Sequence, residues 1–482
     1  MKKIRQIKKK FILNIVSIIF TIICLFMLFL LSYFVFKINV VPTKYLVIGF
    51  SLIILIILLL LFGLFGKNKK FIKIIALFII SVLSFGFGFA AYYLNNTYHF
   101  LSGTQSKYDK LVYSVVVLKD SNYSDIKSLK NKTISYLDDN YKNDIKNELI
   151  SKIEYNEELI TEFSSLSEKL LSNELEAIVL EESYLTLVYE EIEGFEENTE
   201  IIYTFDVKVI SYKEESKSDI VSEPFILYIS GIDQYGNVNS VRGRSDVNQL
   251  AVINPKTNKI LLVNTPRDYY VQLAGTRGLR DKLTHAGIYG IDKSIATLEN
   301  LYDIDIDNYL RVNFNTLIKV VDVIGGIDIN SDKIFKSSHI KGWTVQKGWN
   351  HFNGKQALAY ARERYAYVDG DHHRGRNQQD VITAIIDKVS NSGVLIGKYN
   401  SILNALDGSF QTDIETSTIT SFIKYQLDKM PSWEVETTAV TGYGSYNYTY
   451  SMGTGYKLYV MEPDYNSIAS VKKKINEVLN EE

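Results

Sequence analysis

The sequence predicts three N-terminal transmembrane helices followed by two extracellular α/β domains, a small acidic one and a larger one. Three observations carry this. Apolar runs occupy about 11–36, 45–66 and 71–94; acidic residues are absent from 1–94 and dense just beyond; and from residue 107 strand-like apolar runs alternate with helical patterns.

Each apolar run is long enough to cross ~30 Å of hydrocarbon. A cleaved signal peptide does not fit the first, which exceeds an h-region and is followed closely by two more spans. "KKIRQIKKK" precedes the first span and "KNKK" lies between the second and third, whereas the loop at 37–44 holds only Lys37 and Lys44. The positive-inside rule then puts the N-terminus in the cytoplasm and, with three spans, everything after about residue 95 outside. The single cysteine, Cys24, falls within the first span, so the exported part depends on its own core rather than on disulfides. The expected division is a membrane domain over 1–97, an acidic accessory α/β domain over 98–220 and a larger α/β domain over 221–482.

The formal charge of −2 hides an asymmetry. Residues 95–223 hold 13 Lys, no Arg and 27 acids, a net of −14, whereas residues 224–482 hold 28 basic and 28 acidic residues. Neither stretch has the basic footprint of a nucleic-acid binder. Arginine is more telling: ten of eleven fall between Arg242 and Arg376 in a chain that otherwise uses Lys. Lysine suffices for solubility, while arginine's planar fork grips phosphate or carboxylate bidentately.

In the small module, "LVYSVVVL" and "LEAIVLEES" read as strands and "YNEELITEFSSLSEKLLSN" as helical; its acids read as a solvated face. "NNTYHFLSGTQS" (95–106) reads as a polar linker off the third span. In the larger domain "FILYISGID", "QLAVINP", "KILLVNTP" and "YLRVNF" read as strands, with "NPKTNK" turning a hairpin. "IDKSIATLENLY", "NTLIKVVDVIGG", "NGKQALAYAR" and "GRNQQDVITAIIDKVSN" read as helices, and "YKLYVMEPDYNSIASVKKKINEVL" as a last strand and helix. Gly325–Gly326 fits a helix C-cap rather than a dinucleotide fingerprint.

Asp233 follows the first strand of this domain, and Asp246 opens the next. Carboxylates at two strand ends can share a hard cation such as Mg²⁺, which also takes water and phosphate oxygens; turn or N-cap roles are the alternative. Arg267 and Asp268 follow Pro266 at a strand end, as a buried ion pair or as site residues. Arg362 and Arg364 lie where a helix gives way to extended chain, so both turn to one side. Arg374 and Gln378 are four apart on one helix face near its N-terminus, where free N–H groups favour anions. Arg376 should point elsewhere. His372 and His373 diverge and lack a zinc spacing, so they read as loop histidines. Lys282 either reaches a phosphate or packs over the site, and Asp371 organises the guanidinium groups, with base catalysis as the weaker option.

Together "SGID" (230–233), "RGRSDVNQLAVINP" (242–255), "NTPRDYYV" (264–271), "DKLTHAG" (281–287), "VNFNTLIKVVDVIGGIDI" (312–329), "FNGKQALAYARER" (352–364) and "GDHHRGRNQQ" (370–379) resemble the LytR–CpsA–Psr family of cell-envelope phosphotransferases. The resemblance covers about 225–482, and three spans plus an acidic module look like its capsule-associated CpsA-type members. It implies a central mixed sheet flanked by helices, with Mg²⁺ on Asp233 and Asp246. Arg267 is implied as the central catalytic residue, with Asp268 orienting it or assisting as a base. Arg244, Arg267, Arg362, Arg364, Arg374, Gln378, Lys282 and Asp371 would surround a pyrophosphate. Asn377 stands where many members have a second Arg, so one phosphate contact is expected to be lost or softened.

The implied reaction moves a glycan phosphate from a polyprenyl-pyrophosphate carrier to a peptidoglycan hydroxyl, attaching a capsular or related anionic glycan to the wall of a Gram-positive bacterium. The long apolar faces of "NTLIKVVDVI" and "QDVITAIIDKV" line a groove for the prenyl tail or serve as ordinary core. An envelope regulator or attenuator, a binding module for the lipid-linked glycan, and a pyrophosphatase are the rivals. The acidic module either meets a protein of the capsule-export machinery or acts as a spacer.

Overall fold

A computed structural model describes residues 2–67, 69–103, 108–210, 222–232, 242–368, 370–390, 394, 398, 401–402 and 410–482. The chain divides into two compact units, one of residues 1–104, 219–221 and 414–431, the other of 105–218, 222–413 and 432–482.

The first unit contains helices α1 (Lys2–Ile38), α2 (Thr43–Phe65) and α3 (Lys70–Gly103). The stretches Phe11–Ile38, Thr43–Phe65 and Lys70–Tyr98 are long and apolar enough to span a bilayer. Cys24, Ile57, Leu64, Ala76 and Ile80 form their shared core, and close approach uses small residues, Gly63 against Ala76 and Gly88 against Met27. Phe29, Phe62 and Phe85 remain exposed, as lipid-facing side chains must. The polar linker expected from residue 95 is instead helix as far as Gly103; there the Thr97 hydroxyl is satisfied within the helix, donating to the Tyr93 carbonyl at 3.1 Å. The helix Thr416–Lys429 belongs to the same unit, with Lys424 donating to Asn39 Oδ1 at 2.9 Å and Lys44 pairing with Asp428 at 3.0 Å.

The second unit holds two sheets. The first comprises β1 (Tyr108–Leu118), β2 (Thr133–Leu137), β3 (Asn156–Ile160), β4 (Ala177–Glu181) and β5 (Thr199–Ile210) in the order β3-β2-β4-β1-β5, with helices α4 (Lys142–Lys152), α5 (Phe163–Leu171), α6 (Glu182–Glu191) and the short α7 (Phe195–Asn198). Alternation buries both faces: Val115 and Val117 enter one core, Val116 the other.

Glu181, at the N-cap of α6, is buried and accepts from the Ser183 backbone and hydroxyl. Burial pushes its carboxyl up to about 7, although Ser183 and Arg242 oppose the rise. A folded-state pKa above the ordinary value of 4.5 means stability is greatest with the acid protonated and is lost as pH rises through about 7. Thermal unfolding should lose on the order of 3 kcal/mol between about pH 5 and pH 8 from this group. Glu181→Gln is expected to flatten that slope, and an unchanged slope would refute the assignment.

The second sheet is mixed, in the order β16-β11-β6-β7-β8-β17. Its elements in chain order are β6 (Phe225–Ile232), β7 (Ser245–Asn254), β8 (Lys259–Asn264), the short pair β9 (Tyr270–Val271) and β10 (Asp281–Lys282), α8 (Leu283–Ala286), α9 (Ile291–Tyr302), β11 (Asn308–Asn313) and α10 (Phe314–Ile324). There follow β12 (Ile327–Ser331), β13 (Phe335–Lys336), β14 (Thr344–Val345), β15 (Gly348–Phe352), α11 (Gly354–Arg362), α12 (Asp371–Ser390) and β16 (Phe410–Thr412). After α13, the Thr416–Lys429 helix already described, come β17 (Glu434–Ala439), β18 (Gly442–Thr449), β19 (Gly453–Pro463) and α14 (Tyr465–Asn480). One face packs Tyr228, Leu250, Val252, Leu261 and Val263 against Leu298 and Tyr302 of α9 and Ile468 and Ile475 of α14. Helices α10, α11 and α12 share a second core through Val321, Tyr360 and Val381. From α12, Gln379 reaches the sheet, donating to the Leu262 and Thr438 carbonyls at 3.0 and 2.8 Å. The sheet is thus flanked by helices on both faces.

Most expected elements lie where the sequence puts them, but the first part of "YNEELITEFSSLSEKLLSN" is not helical: Asn156–Ile160 pairs with β2 as strand β3, and the helix covers only Phe163–Leu171. Asn258, at φ +56°, turns the β7–β8 hairpin, and Gly325, at φ +89°, ends α10. Helix α12 starts at Asp371, before the expected Gly375, so His372 and His373 occupy its first turn and are not loop residues.

Candidate functional site

A cavity of about 400 Å³ opens between β6, β7 and β11 and helices α10–α12. Its polar lining residues are Arg244, Asp246, Arg267, Arg362, Arg364, Arg374 and Gln378, together with Glu190 and His339. Its apolar lining residues include Ile229, Val247, Val312, Phe314, Leu317, Leu358, Val381 and Ile382. The two helical faces expected to line a groove contribute Leu317, Val381 and Ile382.

Topology explains the convergence. Arg244 and Asp246 stand where β7 begins, and Arg267 follows the end of its antiparallel neighbour β8, so residues more than twenty apart in sequence meet at one end of two central strands. Arg267 Nη1 donates to Asp246 Oδ1 at 2.9 Å, while its Nε lies 3.6 Å from Asp268 Oδ1. The first partner of Arg267 is therefore Asp246, not its chain neighbour. Thr284 fastens both: its N–H donates to the Arg267 carbonyl and its hydroxyl to Asp246 Oδ1, each at 2.9 Å. Nothing in the sequence marked Thr284 for this task.

Charge follows the same map. Burial works to raise the Asp246 carboxyl, but Arg267, Arg244 and Arg374 together overcome it and hold the pKa below the usual value. Burial works against the Arg267 cation, yet Asp246, Asp268, Asp371 and Glu190 push its pKa higher still. Burial raises Asp371, Arg374 opposes the rise, and Asp268 adds to it.

Arg362 ends α11 and Arg364 lies two residues on, past the extended Glu363; the Arg362 guanidinium sits 4.2 Å from the Phe314 ring centroid. Arg374 pairs with Asp371 across the first turn of α12. That helix can approach the end of β8 only because Gly375 lacks a side chain: a Cβ there would fall 2.2 Å from Asn264 Nδ2. Arg376 turns away to His373, which stacks on Tyr367.

Asp268, Asp371 and Lys282 stand behind the cavity wall. Lys282 is buried, with its amine 3.1 Å from Glu191 and 3.8 Å from Asp268. Asn377, where a further Arg was the expectation, is buried and donates to the Tyr360 carbonyl at 3.0 Å.

Asp233 lies outside the described residues, and among those described no group of three or more His, Cys, Asp or Glu surrounds a metal position. Both contacts of Asp246 given above fall on Oδ1. A single carboxylate beside a guanidinium-lined cavity fits Mg²⁺, which is held by one or two carboxylates and completed by water and phosphate oxygens. It does not fit an all-protein cage.

The acids of the small module are not all a solvated face. Glu190 and Glu191, at the end of α6, reach the neighbouring domain's basic residues: Glu190 takes both terminal nitrogens of Arg244, and Glu191 takes Lys282. These contacts pair side chains 54 and 91 residues apart, beyond the reach of any local pattern. Burial and Glu190, the first opposing the charged form and the second favouring it, leave Arg244 with a raised pKa. Any phosphate that entered the cavity would compete with Glu190 for that fork. Glu190→Gln is therefore expected to tighten binding of inorganic pyrophosphate about three- to tenfold, most at low salt, because Glu190 is half exposed and screened. Titration calorimetry on the full chain reads this directly; unchanged affinity would mean that Arg244 takes no part in binding.

Residues 189–474 match the model of the LytR_cpsA_psr family. The polyisoprenyl-teichoic acid–peptidoglycan teichoic acid transferase TagU of Bacillus cereus is 35% identical over 194 residues, covering 40% of this chain and 61% of that protein. Biofilm regulatory protein A of Streptococcus mutans is 32% identical over 271 residues, covering 51% of this chain and 66% of the relative. The chain thus spans less than two thirds of the length of these relatives. Among solved structures, TagV of B. subtilis is 31% identical, with a TM-score of 0.45 and coverage of 54% of this chain and 98% of that one. Because the family model takes in more than half of its residues, the chain belongs to the LytR–CpsA–Psr family.

Proposed function

We propose that this protein is a membrane-anchored phosphotransferase that moves a glycan phosphate from a polyprenyl-pyrophosphate carrier to a peptidoglycan hydroxyl. The observation that carries the proposal is the cavity whose lining combines Arg244, Arg267, Arg362, Arg364 and Arg374 beside Asp246 with apolar side chains such as Val247, Leu317, Leu358 and Val381. The guanidinium groups suit a doubly charged pyrophosphate, the apolar side chains an isoprenoid chain. The name of the TagU relative supports the same chemistry with teichoic acid as cargo. A capsular polysaccharide or a related anionic polymer is the cargo proposed for this chain.

In the proposed reaction an acceptor hydroxyl oxygen attacks the glycan-bearing phosphorus. A P–O bond forms to the acceptor, the P–O bond to the carrier phosphate breaks, and polyprenyl phosphate leaves. Arg267, held by Asp246, stabilises charge on the transferring phosphoryl group, and Arg362, Arg364 and Arg374 with Gln378 hold the outer oxygens. Asp371 and Asp268 orient the guanidinium groups, and the hydroxyl proton passes to a carboxylate or to water. Asp246, with Asp233 as its proposed partner, would hold Mg²⁺, which would supply charge neutralisation at the phosphate oxygens. The basic flanks of the first and second spans support a cytoplasmic N-terminus and an external site, where no ATP is at hand and the activated phosphate must arrive on a lipid.

The test incubates the full chain with Mg²⁺, a polyprenyl-pyrophosphate glycan and peptidoglycan. The expected product is a covalent glycan–peptidoglycan conjugate. Tight lipid binding without a conjugate would make the protein a carrier, release of free glycan phosphate alone would make it a pyrophosphatase, and binding to promoter DNA alone would make it a regulator.

A further inference from the structure

The hairpin β18–β19 displays tyrosines that the cavity does not use. Its register pairs Tyr446 with Tyr459 and Tyr448 with Lys457, so these four side chains share one face, while Leu458 and Val460 point into the core. Tyr446 is 66% exposed and Tyr459 42%. Their rings stand at 77° with centroids 5.8 Å apart, forming a corner with one ring's face and the other's edge. The Tyr459 ring is held in place over Gly444, where an added Cβ would come within 3.1 Å of it. Lys457 lies 5.2 Å from the centroid of Tyr448.

This corner adjoins the reactive segment. Met461 N–H donates to the Asp268 carbonyl at 2.7 Å, Tyr269 bridges Met461 in parallel, and the Tyr270 hydroxyl donates to the Tyr448 carbonyl at 2.6 Å. Burial raises the Tyr459 phenol, and the nearby charges of Asp268 and Asp371 add to the rise. The hairpin is therefore fixed to the strand end that carries Arg267 and Asp268.

We propose that Tyr446, Tyr448 and Tyr459 form a stacking platform for the acceptor glycan strand, presenting its sugar hydroxyl to the phosphate pocket. Sugar rings have apolar C–H faces rimmed by hydroxyls, and tyrosine matches both with a rigid apolar body and a polar tip at low entropic cost. Tyrosine and lysine also suit a membrane interface, but this face is a strand ladder tied to the Arg267–Asp268 segment rather than an amphipathic helix with a continuous aliphatic stripe, which favours the sugar. The inference rests on the transferase reading for the identity of the strand, and it adds the surface that receives it.

The test uses the full chain in lipid nanodiscs and, as probe, a tetrasaccharide of alternating N-acetylated hexosamines cut from peptidoglycan. Y446A/Y459A is expected to weaken probe binding at least about tenfold and to raise the acceptor KM similarly, with donor KM unchanged. Y446F/Y459F, which keeps both rings, should stay within about threefold of the parent. Unchanged probe binding in the alanine variant would overturn the platform, as would lipid-dependent protection of residues 442–463 from hydrogen exchange without glycan. The two ideas fail separately. Tyrosine-dependent probe binding with no conjugate removes the transferase and keeps the platform, whereas conjugate formation with an unaltered acceptor KM does the reverse.

Discussion

Arg267→Lys is expected to lower the transfer rate by about 10²–10³ while leaving the protein folded, a loss of the size seen when one preorganised donor to a transition state is removed. The geometry explains why lysine fails. Arg267 uses one guanidinium edge on Asp246 at 2.9 Å and keeps its fork beside the cavity, and Thr284 fixes its backbone. Lysine preserves the charge and can still satisfy Asp246, but a single ammonium cannot hold that carboxylate and a phosphoryl oxygen in two fixed directions. Alanine is the less informative variant, because it strands the largely buried Asp246 carboxylate and costs stability on the order of 3 kcal/mol. Transfer kinetics alongside a melting curve check the expectation. Full activity in a folded Arg267→Lys protein would remove Arg267 from the chemistry.

Asp246→Asn is expected to cost about a hundredfold in kcat and to raise the Mg²⁺ concentration giving half-maximal activity at least about tenfold. Asp246 is held ionised against its burial by three arginines and receives both Arg267 and Thr284 on one oxygen. The amide keeps the shape and loses the charge, so Arg267 loses its main anchor and the proposed Mg²⁺ would lose a ligand. Titrating Mg²⁺ against rate separates the two effects. A lower rate with an unshifted Mg²⁺ midpoint would confine Asp246 to orienting Arg267.

Much of this site was legible because its chemistry is carried by an unusual residue. Arginine is scarce elsewhere in the chain, which narrowed the field to ten residues; the motifs shared with the family and helical spacing then singled out Arg244, Arg267, Arg362, Arg364, Arg374 and Gln378, and the cavity lining includes all six. The sorting of Arg374 inward and Arg376 outward followed from helical spacing alone. Partners of these groups were not legible. Glu190 and Glu191 are two acids among 27 in their stretch, and only the packing of α6 beside β7 and β10 singles them out. Thr284 and Gly375 act through close approach between segments, which no local pattern encodes. The tyrosine hairpin was missed at β18 because "GYGSYNYT" mixes glycines with polar residues and lacks an apolar alternation; its buried side is supplied mainly by β19.

In the proposed reaction this cavity holds a pyrophosphate and passes the glycan-bearing phosphorus to an acceptor hydroxyl. Its most direct test follows that phosphorus, labelled with ³²P next to the glycan in a polyprenyl-pyrophosphate donor, through a reaction of the full chain with Mg²⁺ and peptidoglycan. Label is expected in the peptidoglycan conjugate as a phosphodiester, with one unlabelled polyprenyl phosphate released per glycan joined. Label recovered as polyprenyl phosphate, or only as free glycan phosphate, would contradict it.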